Sequence, residues 1–375
     1  MTATEKLLRE LIALPSVNPA FLPAGDPLAG EQRVADFLAF TADRVGLEIE
    51  FQEVLPGRSN LLARLTPVGK VSRRVVLAPH MDTVGGTAEQ FTPVTKNGRL
   101  YGRGACDTKG SVAAMLSAVM NIAQNKQRPA ETEIVFAALV DEENGQTGSR
   151  KLAASGFKAD LAIVGEPTRL QVVTTHKGDL WLRLETHGRS AHGSVPHLGR
   201  NAVHTAARVV DLLETTYAAQ LRARTHPLLG HGTINVGAIR GGVQANIVPD
   251  ECSVIVDRRT LPGENEASVR RELAALFRRH QLDVTIHDTK GAPCNATETD
   301  PGLPLVRQFL KCAGRRRSIG VAFFCDAAPL SAAGIPSIVF GPGDLAQAHT
   351  ADEWMALDSL ERGTAVLTRF LQSLP

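Results

Sequence analysis

Seven apolar residues, Ile134 to Val140, run straight into Asp141, Glu142 and Glu143 within the stretch IVFAALVDEENGQTGS. A run of this length, rich in β-formers, reads as a buried strand rather than a helix. Three adjacent carboxylates at the end of a buried strand repel one another and are costly to desolvate. The stretch therefore calls for a solvated loop or for a cation.

The same texture recurs along the first half of the chain. Helices are predicted at about 4–14, 30–45 and 108–124, and strands at about 60–65, 74–79, 133–140, 160–164 and 170–176. Strands separated by helical segments imply a mostly parallel sheet with helices on both faces. Near Gly178 the pattern changes. The strand DLWLRLETHG is followed by a helix from Asn201 to about Leu221. Then come the strands GTINVGAIRG and ECSVIVDRRT, the helix EASVRRELAALFRRH and the strand LDVTIHDTK. This β-α-β-β-α-β order is the split βαβ unit of ferredoxin-like domains. After Pro293 the alternating texture resumes, with helices at 301–313 and 357–372 and a strand at Ser337 to Phe340. The expected architecture is an α/β domain, 1–177 and 291–375, interrupted by a ferredoxin-like α+β domain, 178–290.

Composition narrows the function classes. With 375 residues, 43% hydrophobic and 21% charged, the chain has the balance of a globular protein. A net charge of +2 gives no electrostatic case for nucleic acid or membrane as partner. The arginine runs at 315–317 and 269–280 read as solvated faces, because no aromatic residues interleave with them. No apolar run approaches the roughly 20 residues that cross a bilayer. The N-terminus carries acids and reads as an amphipathic helix rather than a signal peptide. The five cysteines are scattered and never form a CxxC pair, which points to reduced thiols, a cytoplasmic home and no cysteine-based zinc site.

Four further polar sites stand at the ends of apolar segments. His80 and Asp82 follow a strand in VVLAPHMD, and Asp107 lies in the loop YGRGACDTKG before a helix. Glu166 follows a strand in DLAIVGEPT, and His349 lies beyond the last strand in QAHTADEW. Ligands of open α/β sheets bind outside the carboxyl ends of the strands, so these loops can converge on one crevice. Imidazole and carboxylate without thiolate suit Zn²⁺, with Mn²⁺ or Co²⁺ as substitutes. Five such groups exceed the need of one tetrahedral ion and fit two ions sharing a carboxylate. Each group alone has an ordinary reading as helix cap, loop acid or surface histidine. Their joint placement favours the metal.

On HMDTV, GRGACDTKG, DEENGQTGS, VGEPT and HTADEW, in that order along essentially the whole chain, the sequence resembles a family of dinuclear zinc amidohydrolases and metallopeptidases. That family includes acetylornithine deacetylase, succinyl-diaminopimelate desuccinylase, aminoacylase and glutamate carboxypeptidase. The resemblance implies that His80 and Glu166 hold one Zn²⁺, His349 and Glu143 a second, and Asp107 bridges them. It also implies Asp82 behind His80, fixing the imidazole tautomer, and Glu142 as general base. Asp141 receives no role. The inserted domain becomes a lid and dimerisation domain. There His192, in THGRSAHGSVPHLGRNA, matches a histidine that stabilises the oxyanion, from a partner subunit of a homodimer. Asn246 and Arg259 fall at substrate-contacting positions, and Arg259 can clasp a carboxylate bidentately; a surface ion pair is the alternative. Arg258 should face the other side of its strand. Cys325 stands before Asp326, where many relatives carry threonine or serine, which weakens any transfer of substrate specificity. GPGDL, 341–345, reads as a turn beside the site.

The expected activity is metal-dependent hydrolysis of the amide bond of a small N-acyl amino acid, of acetylornithine deacetylase type. A succinyl-diaminopimelate desuccinylase, and then a dipeptidase or glutamate carboxypeptidase, are the alternatives. A nucleotide-binding dehydrogenase, suggested by Gly102-x-Gly104 before a helix, fails because the third glycine position holds Asp107 and no Walker lysine is present. A binding protein that has lost catalysis is disfavoured by the full set of acids and histidines.

Overall fold

The computed structural model describes residues 1–289 and 294–375. The chain forms two units: Met1–Thr174 with Glu298–Ile319 and Cys325–Pro375, and Thr175–Thr297 with Gly320–Phe324. The expected boundary at 290/291 lies outside the described residues. Residues 175–177, 294–297 and Gly320–Phe324, which the ranges 1–177 and 291–375 assigned to the first unit, group with the second. The reason is local: Lys177 N donates to Val321 O at 3.2 Å, and the Arg259 guanidinium stacks on the Phe324 ring.

The main sheet runs Glu48–Leu55, Arg58–Leu65, Thr132–Ala138, Arg73–Pro79, Leu161–Gly165, Ser337–Val339, Val173–His176, Thr297–Glu298. Its outer pairs are antiparallel, and the four central strands are mutually parallel. Alternation explains how both faces are covered. Val75, Leu77, Ile134, Phe136, Leu161 and Ile163 join one core with the helices Ala3–Ile12, Gln32–Asp43, Lys109–Gln124 and Leu357–Gln372. Val76, Ala78, Val135, Ala137 and Ala162 are equally buried but point to the other face. The short helices Thr147–Ala154 and Ala327–Ala332, absent from the sequence-based expectation, pack together there, the latter against Leu161–Gly165 and Ser337–Val339. The chain is thus α/β with a mostly parallel central sheet, as expected.

A small antiparallel sheet was not foreseen. Trp354–Ala356 pairs with Arg99–Tyr101, which pairs with Val94–Lys96. Segments of three residues are too short to show periodicity. The edge strand Glu48–Leu55 was also missed: its alternation, Glu48-Ile49-Glu50-Phe51-Gln52, is short and breaks near the register shift at Glu53/Leu55, and none of its residues is fully buried.

In the second unit four antiparallel strands lie in the order Thr233–Gly241, Glu251–Thr260, Gly178–His187, Thr285–Asp288. The helical stretch 202–222 and the helix Glu266–Arg279 contribute Val209, Leu213, Tyr217, Leu273 and Phe277 to its separate core. The expected continuous helix is interrupted by a π turn, Leu213–Tyr217, beside which Thr215 Oγ1 donates back to Asp211 O. Among the described residues, no helix is long and apolar enough to cross a membrane.

Candidate metal centre

The four central strands run the same way, so their carboxyl ends meet at one edge of the sheet. Beyond those ends lie Glu142 and Glu143, His80 and Asp82, Glu166 and, after a turn and a short 3-10 segment, His349. Asp107 enters from the loop preceding the buried helix Lys109–Gln124. Close approach of these elements depends on Gly165: a Cβ there would lie 2.8 Å from Ser111 Cβ and 2.9 Å from Pro79 Cβ.

Asp107 occupies the middle of the cluster. Its Oδ1 is 3.2 Å from His80 Nε2, and its Oδ2 is 3.4 Å from His349 Nε2. On the His80 side, Glu166 Oε1 stands 3.9 Å from Nε2. On the other side, Glu143 Oε2 is 3.1 Å from His349 Nε2. Possible ligand atoms of His80, Asp107 and Glu143 all lie within 4.8 Å of one another. The two histidines differ in setting: the His80 side chain is 1% exposed and that of His349 54%.

The electrostatics argue for positive charge at this point. Burial first, then the charge of Glu166, pushes the Glu142 carboxyl well above its ordinary range. Burial and Asp107 do the same to Glu166. Glu143 is pushed up to about 7 by burial and Asp107, against the opposing hydrogen bond from His349. Burial also brings Asp326 to about 7. His80 moves the opposite way from what its burial alone would cause, because Asp107 and Asp82 accept from it. Glu143 Oε1, Glu166 Oε1 and Asp326 Oδ2 are buried with no hydrogen-bond partner among the described residues. Orphaned carboxylate oxygens around two imidazoles fit hard or borderline divalent cations.

Behind the cluster a polar scaffold holds the acidic turn, and much of it was not anticipated. Asp82 Oδ1 accepts from Glu142 N and Oδ2 from Glu143 N, each at 3.1 Å. The Asn18 amide donates both to Asp82 Oδ2, at 2.8 Å, and to Asp141 Oδ1, at 2.9 Å. Asp141, in the left-handed region with φ 66, also accepts from Thr147 Oγ1 and from Arg58, which is paired with buried Glu31. The residue left without a role therefore anchors the turn. His80 Nδ1 donates to the backbone carbonyl of Asp82 at 3.0 Å and lies 3.4 Å from its carboxylate. The main chain of Asp82 thus shares the orienting task expected of its side chain.

The remaining expected residues lie in the second unit. His192 is exposed, with Nδ1 2.7 Å from Ser194 Oγ. The Asn246 carbonyl accepts from Gly193 N. Arg259 pairs with Asp257 at 2.9 Å and lies 3.7 Å from buried Asp179. Arg258 is fully buried on the opposite face of the strand, where it pairs with Glu264. Asn18, Glu31 and Arg58 carried no recognisable signal in sequence, and Glu353, though within HTADEW, was given no role there, since their partners are distant in the chain.

Imidazoles and carboxylates gathered at the carboxyl edge of a mostly parallel sheet fit a divalent-metal centre, and the family match makes the protein a metal-dependent hydrolase of the amidohydrolase and metallopeptidase type. The chain belongs to peptidase family M20/M25/M40, whose model matches residues 76–373. It is 33% identical over 353 residues to an acetylornithine deacetylase of Myxococcus xanthus, covering 89% of this chain and 90% of the relative. Among solved structures it resembles a tripeptidase from Staphylococcus aureus, with TM-score 0.78, 20% identity, and 99% and 97% of the two chains covered. It also resembles an M20 family metallo-carboxypeptidase from Sulfolobus solfataricus, with TM-score 0.75, 19% identity and 99% of each chain covered.

Proposed function

We propose that the protein hydrolyses the amide bond of a small N-acyl amino acid, of the N-acetylornithine kind, using two Zn²⁺ ions for which Co²⁺ or Mn²⁺ can substitute. The observation that carries the two-ion reading is Asp107, whose two oxygens face His80 and His349 separately. His80 and Glu166 would hold one ion, His349 and Glu143 the other, with Asp107 between. The relative of 33% identity supports the acyl amino acid over a peptide as substrate.

Bound cations supply Lewis acidity, polarising the scissile carbonyl and acidifying water. The chain supplies the rest. Glu142 takes the proton of the attacking water as its oxygen bonds to the carbonyl carbon. It returns the proton to nitrogen as the C–N bond breaks, leaving an amine and a carboxylic acid, whose remaining proton is taken up by the amine to give carboxylate and ammonium. Asp82 holds Glu142 in place through the backbone N–H. His192 would stabilise the oxyanion, and Asn246 and Arg259 would bind the substrate carboxylate, within a cytoplasmic homodimer.

Metal analysis with a substrate panel tests this. Two divalent ions per chain and chelator-sensitive release of acetate from N-acetylornithine are expected. Glu142→Gln should keep both ions and lose about 10²–10⁴ in kcat. A protein that binds no metal, or that cleaves dipeptides but no N-acyl amino acid, would overturn the assignment.

A further inference from the structure

Among the buried acids that the catalytic scheme leaves unused, Glu353 is the one that joins two ligand-bearing loops. Glu353, 2% exposed, lies four residues beyond His349 and reaches into the loop that carries Asp107. Its Oε1 accepts from Cys106 N at 2.8 Å and from Asp107 N at 2.9 Å. Its Oε2 accepts from Gly104 N and from Arg103 Nη1, both at 2.9 Å, and its own carbonyl accepts from Gly102 N. Trp354↔Tyr101 pairing in the small sheet brings the two loops side by side, and Arg99 stacks on Trp354 at 4.0 Å. Four donors on one carboxylate, three of them main-chain, form a rigid clamp.

We infer that Glu353 is a positioning residue that couples the two halves of the centre. It orders the Gly104–Asp107 backbone so that Asp107 presents one oxygen to each histidine, and it ties that backbone to the segment bearing His349. The effect is unequal on the two sides. His80 and Glu166 are buried at the ends of adjacent parallel strands, and His80 is oriented by Asp82, none of which touches Glu353. His349 is more than half exposed, adopts φ 63 and rests on a loop whose anchor is Glu353. Loss of the clamp therefore weakens the His349 side first. The inference rests on the two-ion reading above.

Metal-stripped protein titrated with Zn²⁺, followed by calorimetry and repeated with Co²⁺ by visible absorption, reads the two sites separately. Glu353→Gln puts an amide against backbone N–H groups that need an acceptor. It should bind the first ion within about threefold of wild type and the second at least tenfold more weakly, altering the Co²⁺ spectrum of the second addition only. His349→Ala should show the same selective loss, and the double variant should be no worse than His349→Ala alone. Unchanged binding of both ions by folded Glu353→Gln would overturn the inference while leaving the two-ion reading intact. Equal weakening of both sites would reduce Glu353 to general scaffolding and overturn it too. Wild type taking up fewer than two ions would sink the two-ion reading itself. If Glu353→Gln fails to fold, Glu353→Asp, which keeps the charge but retracts it, should give the same selective loss; a wild-type titration there overturns the inference.

Discussion

At the scale of single residues, the centre depends on neighbours that do no chemistry. Asn18 separates two carboxylates and hydrogen-bonds both, so it lowers the repulsion between Asp82 and Asp141 while fixing each. Asn18→Asp would place a third acid between them with no donor to spare. The expected cost is about 2–4 kcal/mol at neutral pH, from an unpaired buried charge and two lost hydrogen bonds. Urea unfolding of the variant at pH 7 and pH 5 checks it; the loss should shrink at the lower pH as the new carboxyl takes up a proton. Equal stability at pH 7 would mean that the contact does not matter. Asp141 illustrates why a role can be invisible in sequence. Its carboxylate partners Asn18 and Arg58 are brought to it from separate segments, and adjacency to Glu142 and Glu143 suggested nothing about them.

At the scale of elements, the carboxyl ends of the parallel strands must come close enough for the ligands to meet. Gly165 permits that approach at the strand end immediately before Glu166. Gly165→Ala should cost about 1–3 kcal/mol through overpacking against Ser111 and Pro79. It should also weaken metal uptake, since Glu166 follows directly. Thermal unfolding and metal titration together check this, and a variant with unchanged melting would refute the packing argument. The strands and long helices around the site were readable because each is long enough to show its period and its burial. Thr147–Ala154, Ala327–Ala332 and the three-stranded sheet were not, being short and defined by tertiary pairing. The helix break at Leu213–Tyr217 was equally silent, for the segment contains neither glycine nor proline.

At the scale of the whole molecule, the first unit concentrates buried acids at one place and pays for them in the absence of cations. Glu142, Glu143, Glu166 and Asp326 all have folded proton affinities above those of the unfolded chain. A raised carboxyl contributes stability that is present at low pH and lost as pH rises toward its folded pKa. The metal-free protein should therefore lose stability as pH rises from about 4.5 to 7, where Glu143 and Asp326 titrate, and further for as long as Glu142 and Glu166, both raised well above their ordinary range, go on losing protons. Zn²⁺ should raise the melting temperature most at the top of that range, by binding only the folded state. Melting curves of stripped and reloaded protein across those pH values check both statements. A pH-independent gap between them would contradict the electrostatic account.

Sequence alone determined the α/β texture, the change of pattern near Gly178, and the placing of His80, Asp107, Glu143, Glu166 and His349 beside strand ends or glycine turns. Those features follow from local periodicity and from the rule that crevices form at the carboxyl edge of a parallel sheet. Only tertiary structure decided which oxygen of Asp107 faces which histidine, that the Asp82 backbone orients His80, and that Asn18, Asp141 and Glu353 hold the loops. Hydrogen bonds between residues far apart in the chain leave no period to read. They arise when strand order and loop crossing bring unlike segments together, and that is a property of the folded chain.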